Sequence, residues 1–112
     1  MKPSITYAAT FYNLINLSVD YLTRFSTEKQ VIENIIDAIE RFEKMVSDNP
    51  KSAPISPYLS SLGMMNYREF TANDFRILYR VEDEPYSIKV VFFCSQKQDL
   101  TRLLVDYCLL YK

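Results

Sequence analysis

The sequence predicts an α+β domain in the order β-α-α-β-β-β-α, with an antiparallel sheet, an N-terminal helical hairpin and a C-terminal helix. Three observations predict it. Apolar residues recur at helical spacing through the first half of the chain. They switch to period-two alternation in the second half. The alternating runs are separated only by short turn-forming clusters, the spacing of an antiparallel meander.

Taken in order, Ile5 and Tyr7 alternate with polar Ser4 and Thr6, which suggests a short first strand. Thr10 is the expected cap of the first helix. Phe11, Leu14, Ile15, Leu22 and Phe25 make its apolar stripe. Thr27 and Gln30 fit a capping box, and Glu28 suits the positive end of the following helix. Val31, Ile32, Ile35, Ile36, Ile39, Phe42, Met45 and Val46 form that helix's stripe, with Glu33, Asp37, Arg41 and Lys44 opposite. Two amphipathic helices with so short a joint predict an antiparallel hairpin. Pro50 ends it.

Pro50, Pro54 and Pro57 then punctuate a stretch read as a loop to about Met65, with Ile55, Leu59 and Leu62 as loose anchors and Gly63 as the only glycine. Strands are expected over 66–71, 75–81 and 86–95. Ala72-Asn73-Asp74 forms the first turn between them and Glu82-Asp83-Glu84-Pro85 the second. On the middle strand Phe75, Ile77, Tyr79 and Val81 face one way, and Arg76, Leu78 and Arg80 the other. Residues 88–94 are apolar on both faces apart from Lys89, which places that strand centrally. A last helix is expected from about Gln98 to Tyr111, with Leu100, Leu103, Leu104, Tyr107, Cys108 and Tyr111 on one face.

The totals bound the function. A chain of 112 residues, 48% hydrophobic and 24% charged, is read as one domain over 1–112 that buries its own core. No apolar run is long enough for a membrane span, and Met1-Lys2-Pro3-Ser4-Ile5 does not resemble a signal peptide. A cytoplasmic protein without membrane contact is expected. Cys94 and Cys108 are then expected as reduced thiols in apolar packing. With no histidine, the chain excludes a Ser-His-Asp triad, a Cys-His pair and a histidine metal site. Neither metal nor cofactor is expected. A net charge of −1 argues against a nonspecific polyanion binder but leaves a local basic patch open.

The run Tyr67-Arg68-Glu69-Phe70-Thr71-Ala72-Asn73-Asp74-Phe75-Arg76-Ile77-Leu78-Tyr79-Arg80-Val81 resembles the RelE/ParE family of bacterial toxins. The carrying motif is Phe75-Arg76-Ile77-Leu78-Tyr79, followed by an acidic turn, an apolar strand, the polar cluster at 95–98 and Asp99-Leu100. The resemblance is ParE-like more than RelE-like. It implies the toxin of a type II toxin–antitoxin module, with growth inhibition and plasmid stabilization as its biology. A cognate antitoxin would neutralise it, and DNA gyrase would be the target. The alternatives it implies are a ribosome-dependent mRNA endoribonuclease and a non-toxic binding module of the same fold. A homodimer and a hetero-oligomer with antitoxin both stay open.

Carried over residue by residue, the family's ribonuclease positions are mostly missing. Arg76 matches the central-strand arginine. The preceding strand has Tyr67 and Glu69 where bases are usual. Ser95 stands for the arginine after the last strand, with Lys97 near it, and Thr101 for the late tyrosine. A glutamate at position 69 would repel a phosphodiester and leave developing negative charge unstabilised. The reading therefore leans away from an enzyme. If the chain is a ribonuclease, Arg76, Arg80 and Lys97 supply its charge, and Tyr67 or Tyr79 the proton.

For target or antitoxin binding the candidates are Arg68, Arg76, Arg80, Lys97, Arg102, Tyr107 and Tyr111. Against this, Arg76 and Arg80 could pair across strands with Glu69, Asp74 or the acidic turn, each pair adding about 0.2–1 kcal/mol. Lys97 and Arg102 could be a solvated helix end, and the Tyr107 and Tyr111 tail could dock on the sheet. Packing is the expected role of Tyr67 and Tyr79.

Overall fold

The computed structural model describes residues 4–83 and 86–106, leaving aside the side chains of Tyr58, Asp83 and Tyr86. The elements run β1 (Ser4–Tyr7), α1 (Ala9–Leu22), α2 (Glu28–Asp48), α3 (Pro57–Ser61), β2 (Arg68–Ala72), β3 (Phe75–Asp83), β4 (Tyr86–Ser95) and α4 (Leu100–Asp106). The predicted α+β order is present, with α3 added.

The four strands form one sheet in the order β1-β4-β3-β2. The expected meander β2-β3-β4 is antiparallel. β1 joins its far edge parallel to β4, so the sheet as a whole is mixed rather than antiparallel. The hairpin explains this: a helical crossover carries the chain from β1 across the sheet, and such a connection permits parallel pairing. β4 lies between β1 and β3, as its apolar run predicts. Asn73 and Asp74 have φ of 54° and 66°, the left-handed pair that a two-residue hairpin loop of matching twist requires.

Both long helices cover the same sheet face. Phe11 of α1 meets Phe93 edge-on at 5.8 Å, and Phe42 of α2 meets Tyr79 at 5.1 Å and Phe70 at 5.8 Å. Ile77 pairs directly with Phe93 and Tyr79 with Val90, and all four are buried. Burying side chains of this size stabilises by about 1.5–3 kcal/mol each. Tyr7 of β1 donates a hydrogen bond to the Glu43 carboxylate of α2. Burial first, then this bond, holds the Tyr7 phenol far above its ordinary pKa.

The helix ends partly follow expectation. Thr27 caps α2 by accepting from the Gln30 backbone N–H at 3.2 Å. Ser26, rather than Thr27, then takes up the Gln30 side chain, donating to it at 3.0 Å. Thr10 is not a cap. α1 begins at Ala9, the cap position is Ala8 without a side-chain bond, and Ala8 is held instead by its N–H donating to the Val90 carbonyl at 2.9 Å.

Two predicted stripes are wider than the buried arcs. Phe25 follows the end of α1 and is 62% exposed, while Ile32 and Ile36 sit on the flank of α2 at 38% and 50%. The core of α2 is Val31, Ile35, Ala38, Phe42 and Val46. The stretch read as a loop contains α3. Ser56 accepts from the Leu59 N–H at 3.2 Å and Pro57 occupies the first turn, a helix-start signature that the surrounding prolines mask. Leu59 is fully buried there, not a loose anchor.

α4 ends its described course at Asp106, so the predicted extension to Tyr111, with Cys108, lies outside the described residues. No described helix is long and apolar enough to cross a membrane.

Candidate functional site

The face of β3 turned away from α1 and α2 carries Arg76, Leu78 and Arg80, as alternation predicts, with Leu78 fully buried between the two arginines. Arg76 pairs with Glu69 of β2 at 2.8 Å, with the two side chains 31% and 19% exposed. It lies opposite Thr71 on one side and buried Cys94 on the other. The anticipated cross-strand partner of Arg76 is therefore Glu69. Burial pushes the Cys94 thiol up to about 12, so it is neutral and no nucleophile.

Arg80 stands at the other end of the strand, opposite Lys89. It pairs with Glu82 at 3.8 Å, and its guanidinium rests 5.8 Å from the Tyr67 ring centre. Arg68 does not join Arg76 or Arg80 on that face. It pairs directly with Tyr79, which puts it on the helix-covered side, and it donates to the carbonyls of Lys51 and Ala53 at 2.9 and 2.7 Å. Those bonds tie the chain after α2 to the edge of β2. The Ser56 N–H donating to Tyr67 and the Glu69 N–H donating to Pro54 do the same.

Arg68 and Arg80 nevertheless meet at the rim of the sheet. With Lys51, Ile55, Asn66 and Val81 they line a pocket of about 300 Å³. Lys51 escapes sequence reasoning because it belongs to no periodic element. The antiparallel bridge between Ile55 and Arg68, with those bonds, brings its segment alongside β2.

Lys97 and Arg102 lie elsewhere, on a groove of about 640 Å³ between α1 and the start of α4. Arg24 adds a third cation, and Asp20, Asp99 and Asp106 offset them. Arg102 pairs with Asp106 one turn on, at 3.6 Å, and Lys97 stands 5.0 Å from the Phe25 ring centre. Gln98 fixes the floor. Its carbonyl oxygen accepts from Ser18 at 2.9 Å and from the Ser95 N–H at 2.8 Å. Tyr107 and Tyr111 lie outside the described residues.

Of the two candidate proton donors, Tyr79 is fully buried and donates to the Pro50 carbonyl at 2.7 Å. Tyr67 is half-buried beneath Arg80. Three cations of the seven proposed positions thus fall on three separate environments: Arg76 in an ion pair, Arg80 at the rim pocket and Lys97 in the α1–α4 groove. Among the described residues no cluster of acidic or sulfur ligands could hold a metal ion.

A family model described as the ParE toxin of the type II toxin–antitoxin system, parDE, matches residues 16–100. A solved chain from a chromosomal ParDE toxin–antitoxin system of P. aeruginosa superposes with a TM-score of 0.66. It is 12% identical, and the match covers 84% of this chain and 96% of that one. At that identity the likeness is one of fold. No curated protein matches in sequence.

Proposed function

The chain belongs to the ParE toxin family of type II toxin–antitoxin systems, and from that premise we propose that it inhibits DNA gyrase and so halts replication, and that a cognate antitoxin neutralises it. It acts by binding in the cytoplasm, not by cutting RNA. The observation that carries this reading is the Arg76–Glu69 pair at 2.8 Å. The arginine that best matches a ribonuclease position is already neutralised by a neighbour on the sheet. A phosphodiester approaching Arg76 would meet Glu69 as well. The buried hydrogen bond of Tyr79 supports the same view, since a phenol committed to the Pro50 carbonyl is a poor proton donor to a substrate. Lys97 and Arg102, on the α1–α4 groove away from that pair, are proposed to meet target or antitoxin.

Inducible expression in a sensitive bacterium tests this, with DNA content and bulk translation followed together. The expected result is arrested replication and elongating cells while translation continues, with altered gyrase supercoiling by the purified protein. Immediate loss of translation with cleaved mRNA would transfer the chain to the ribonuclease reading. Normal growth with folded protein would make it a non-toxic binding module.

A further inference from the structure

We propose that Gln98, locked to the buried Ser18 of α1, is a positioning residue that presents Lys97 to the partner. The inference rests on the reading that Lys97 meets target or antitoxin at the α1–α4 groove, and it adds what holds that lysine in place.

Ser18 is the first sign. The buried stripe of α1 runs Phe11, Leu14 and Ser18, so a hydroxyl stands where the spacing calls for an aliphatic side chain. A buried hydroxyl costs free energy unless it is hydrogen-bonded, and an apolar residue would fill the position without that cost. Ser18 reaches out of its own helix for its partner, donating to the Gln98 side-chain oxygen at 2.9 Å. Departures of this kind from the local pattern concentrate at functional positions.

Gln98 in turn closes a tight turn around Lys97. The same side-chain oxygen accepts from the Ser95 N–H at 2.8 Å, and the Gln98 N–H donates to the Ser95 carbonyl at 3.0 Å. Both backbone groups of Lys97 are engaged as well. Its N–H donates to Ser95 Oγ at 3.1 Å, and its carbonyl accepts from the Tyr21 hydroxyl at 3.2 Å. Ser18 and Tyr21 are three residues apart on α1, so neighbouring positions of one helix hold Gln98 and Lys97 together.

The lysine held this way is exposed, and its ammonium stands 5.0 Å from the centre of the exposed Phe25 ring. A free lysine side chain gives up much rotamer freedom when a partner orders it. Fixing its backbone beforehand and resting its head on a ring lowers that loss.

The test reads two quantities. One is the Lys97 side-chain methylene signals of the free, isotope-labelled chain, followed by NMR. The other is the concentration of purified chain that inhibits supercoiling by purified gyrase. In the parent chain the methylene signals are expected upfield of an unstructured lysine, because the Phe25 ring shields them. Gln98→Met should return them toward the unstructured position and raise the inhibitory concentration about fivefold. In a Lys97→Ala background the same substitution should add less than about twofold, because its effect passes through the lysine. Ser18→Ala removes one donor to Gln98 from a side chain that no partner can reach, and should move both readings the same way by less. Should Gln98→Met fail to fold, Ser18→Ala carries the test. Unmoved Lys97 signals, moved signals with unchanged inhibition, or a full loss persisting in the Lys97→Ala background would overturn the proposal. A parent chain that leaves gyrase untouched would instead remove the gyrase reading, and the lysine signals alone would then decide the positioning role.

Discussion

Arg76 and Arg80 stand on the same face of one strand, yet the sheet treats them oppositely. Arg76 lies among neighbours that use it: Glu69 at 2.8 Å, Thr71 beside it and Cys94 opposite. Arg80 lies near the sheet's rim, where its ion pair with Glu82 is longer, at 3.8 Å, and Lys51 and Arg68 line the same pocket. The difference arises from register. β2 runs only from Arg68 to Ala72, so it supplies a cross-strand acid to the first half of β3 and ends opposite Tyr79. Past that point no described strand flanks β3 on that side, and the segment carrying Ile55 lies against the outer edge of β2 at Arg68. One arginine is held by a close ion pair across the sheet, and the other by a longer, more exposed one at its rim.

The boundary between the two environments is Tyr79, and removing its hydroxyl should have the largest effect. Tyr79→Phe leaves the buried Pro50 carbonyl without that donor and should cost about 1–3 kcal/mol, read by urea or thermal unfolding. No change in the midpoint would show that the chain after α2 is not anchored through this bond. The two arginine environments should then separate on stability. Glu69→Gln, which strips a partly buried cation of its partner, should cost about 1 kcal/mol. Arg80→Gln should change stability by less than about 0.5 kcal/mol, because its ion pair is long and exposed. Equal losses would show that the sheet holds the two arginines alike.

The smallest effect lies at the opposite end of β3, beside the two-residue turn. Asn73 donates to the Asp37 carboxylate of α2 at 2.9 Å, and that bond, with Arg41 helping, holds Asp37 below its ordinary pKa. A carboxylate whose folded pKa is depressed binds fewer protons than in the unfolded chain. Its stabilisation is therefore complete above the ordinary value of 3.8 and fades as pH falls through the folded value. Asp37→Asn should accordingly narrow its stability gap to the parent chain below that pH. A gap constant through acid would show that the turn does not depend on the charge.

The helical hairpin, the meander, the central place of β4 and the turn at Asn73-Asp74 were all legible in the sequence, because each rests on local periodicity or on the backbone preferences of a few residues. α3 was legible too, in Ser56 and Pro57, but the prolines around it pointed to a loop. The exposed flank at Ile32 and Ile36 was not, since a stripe's width does not reveal how much of it a neighbour covers.

The amino-acid sequence by itself determined the element order, the absence of histidine chemistry and the family motif around Phe75–Tyr79. Those depend on residue identity and spacing along the chain. Only the tertiary structure decided that β1 pairs in parallel, that Glu69 takes Arg76, and that Lys51, Arg68 and Arg80 line one pocket. Each depends on which segments lie side by side after the hairpin has folded back on the sheet. No local pattern encodes that a loop lysine and two strand arginines line one pocket. It exists because Ile55 bridges to Arg68 and brings the loop to the edge of β2.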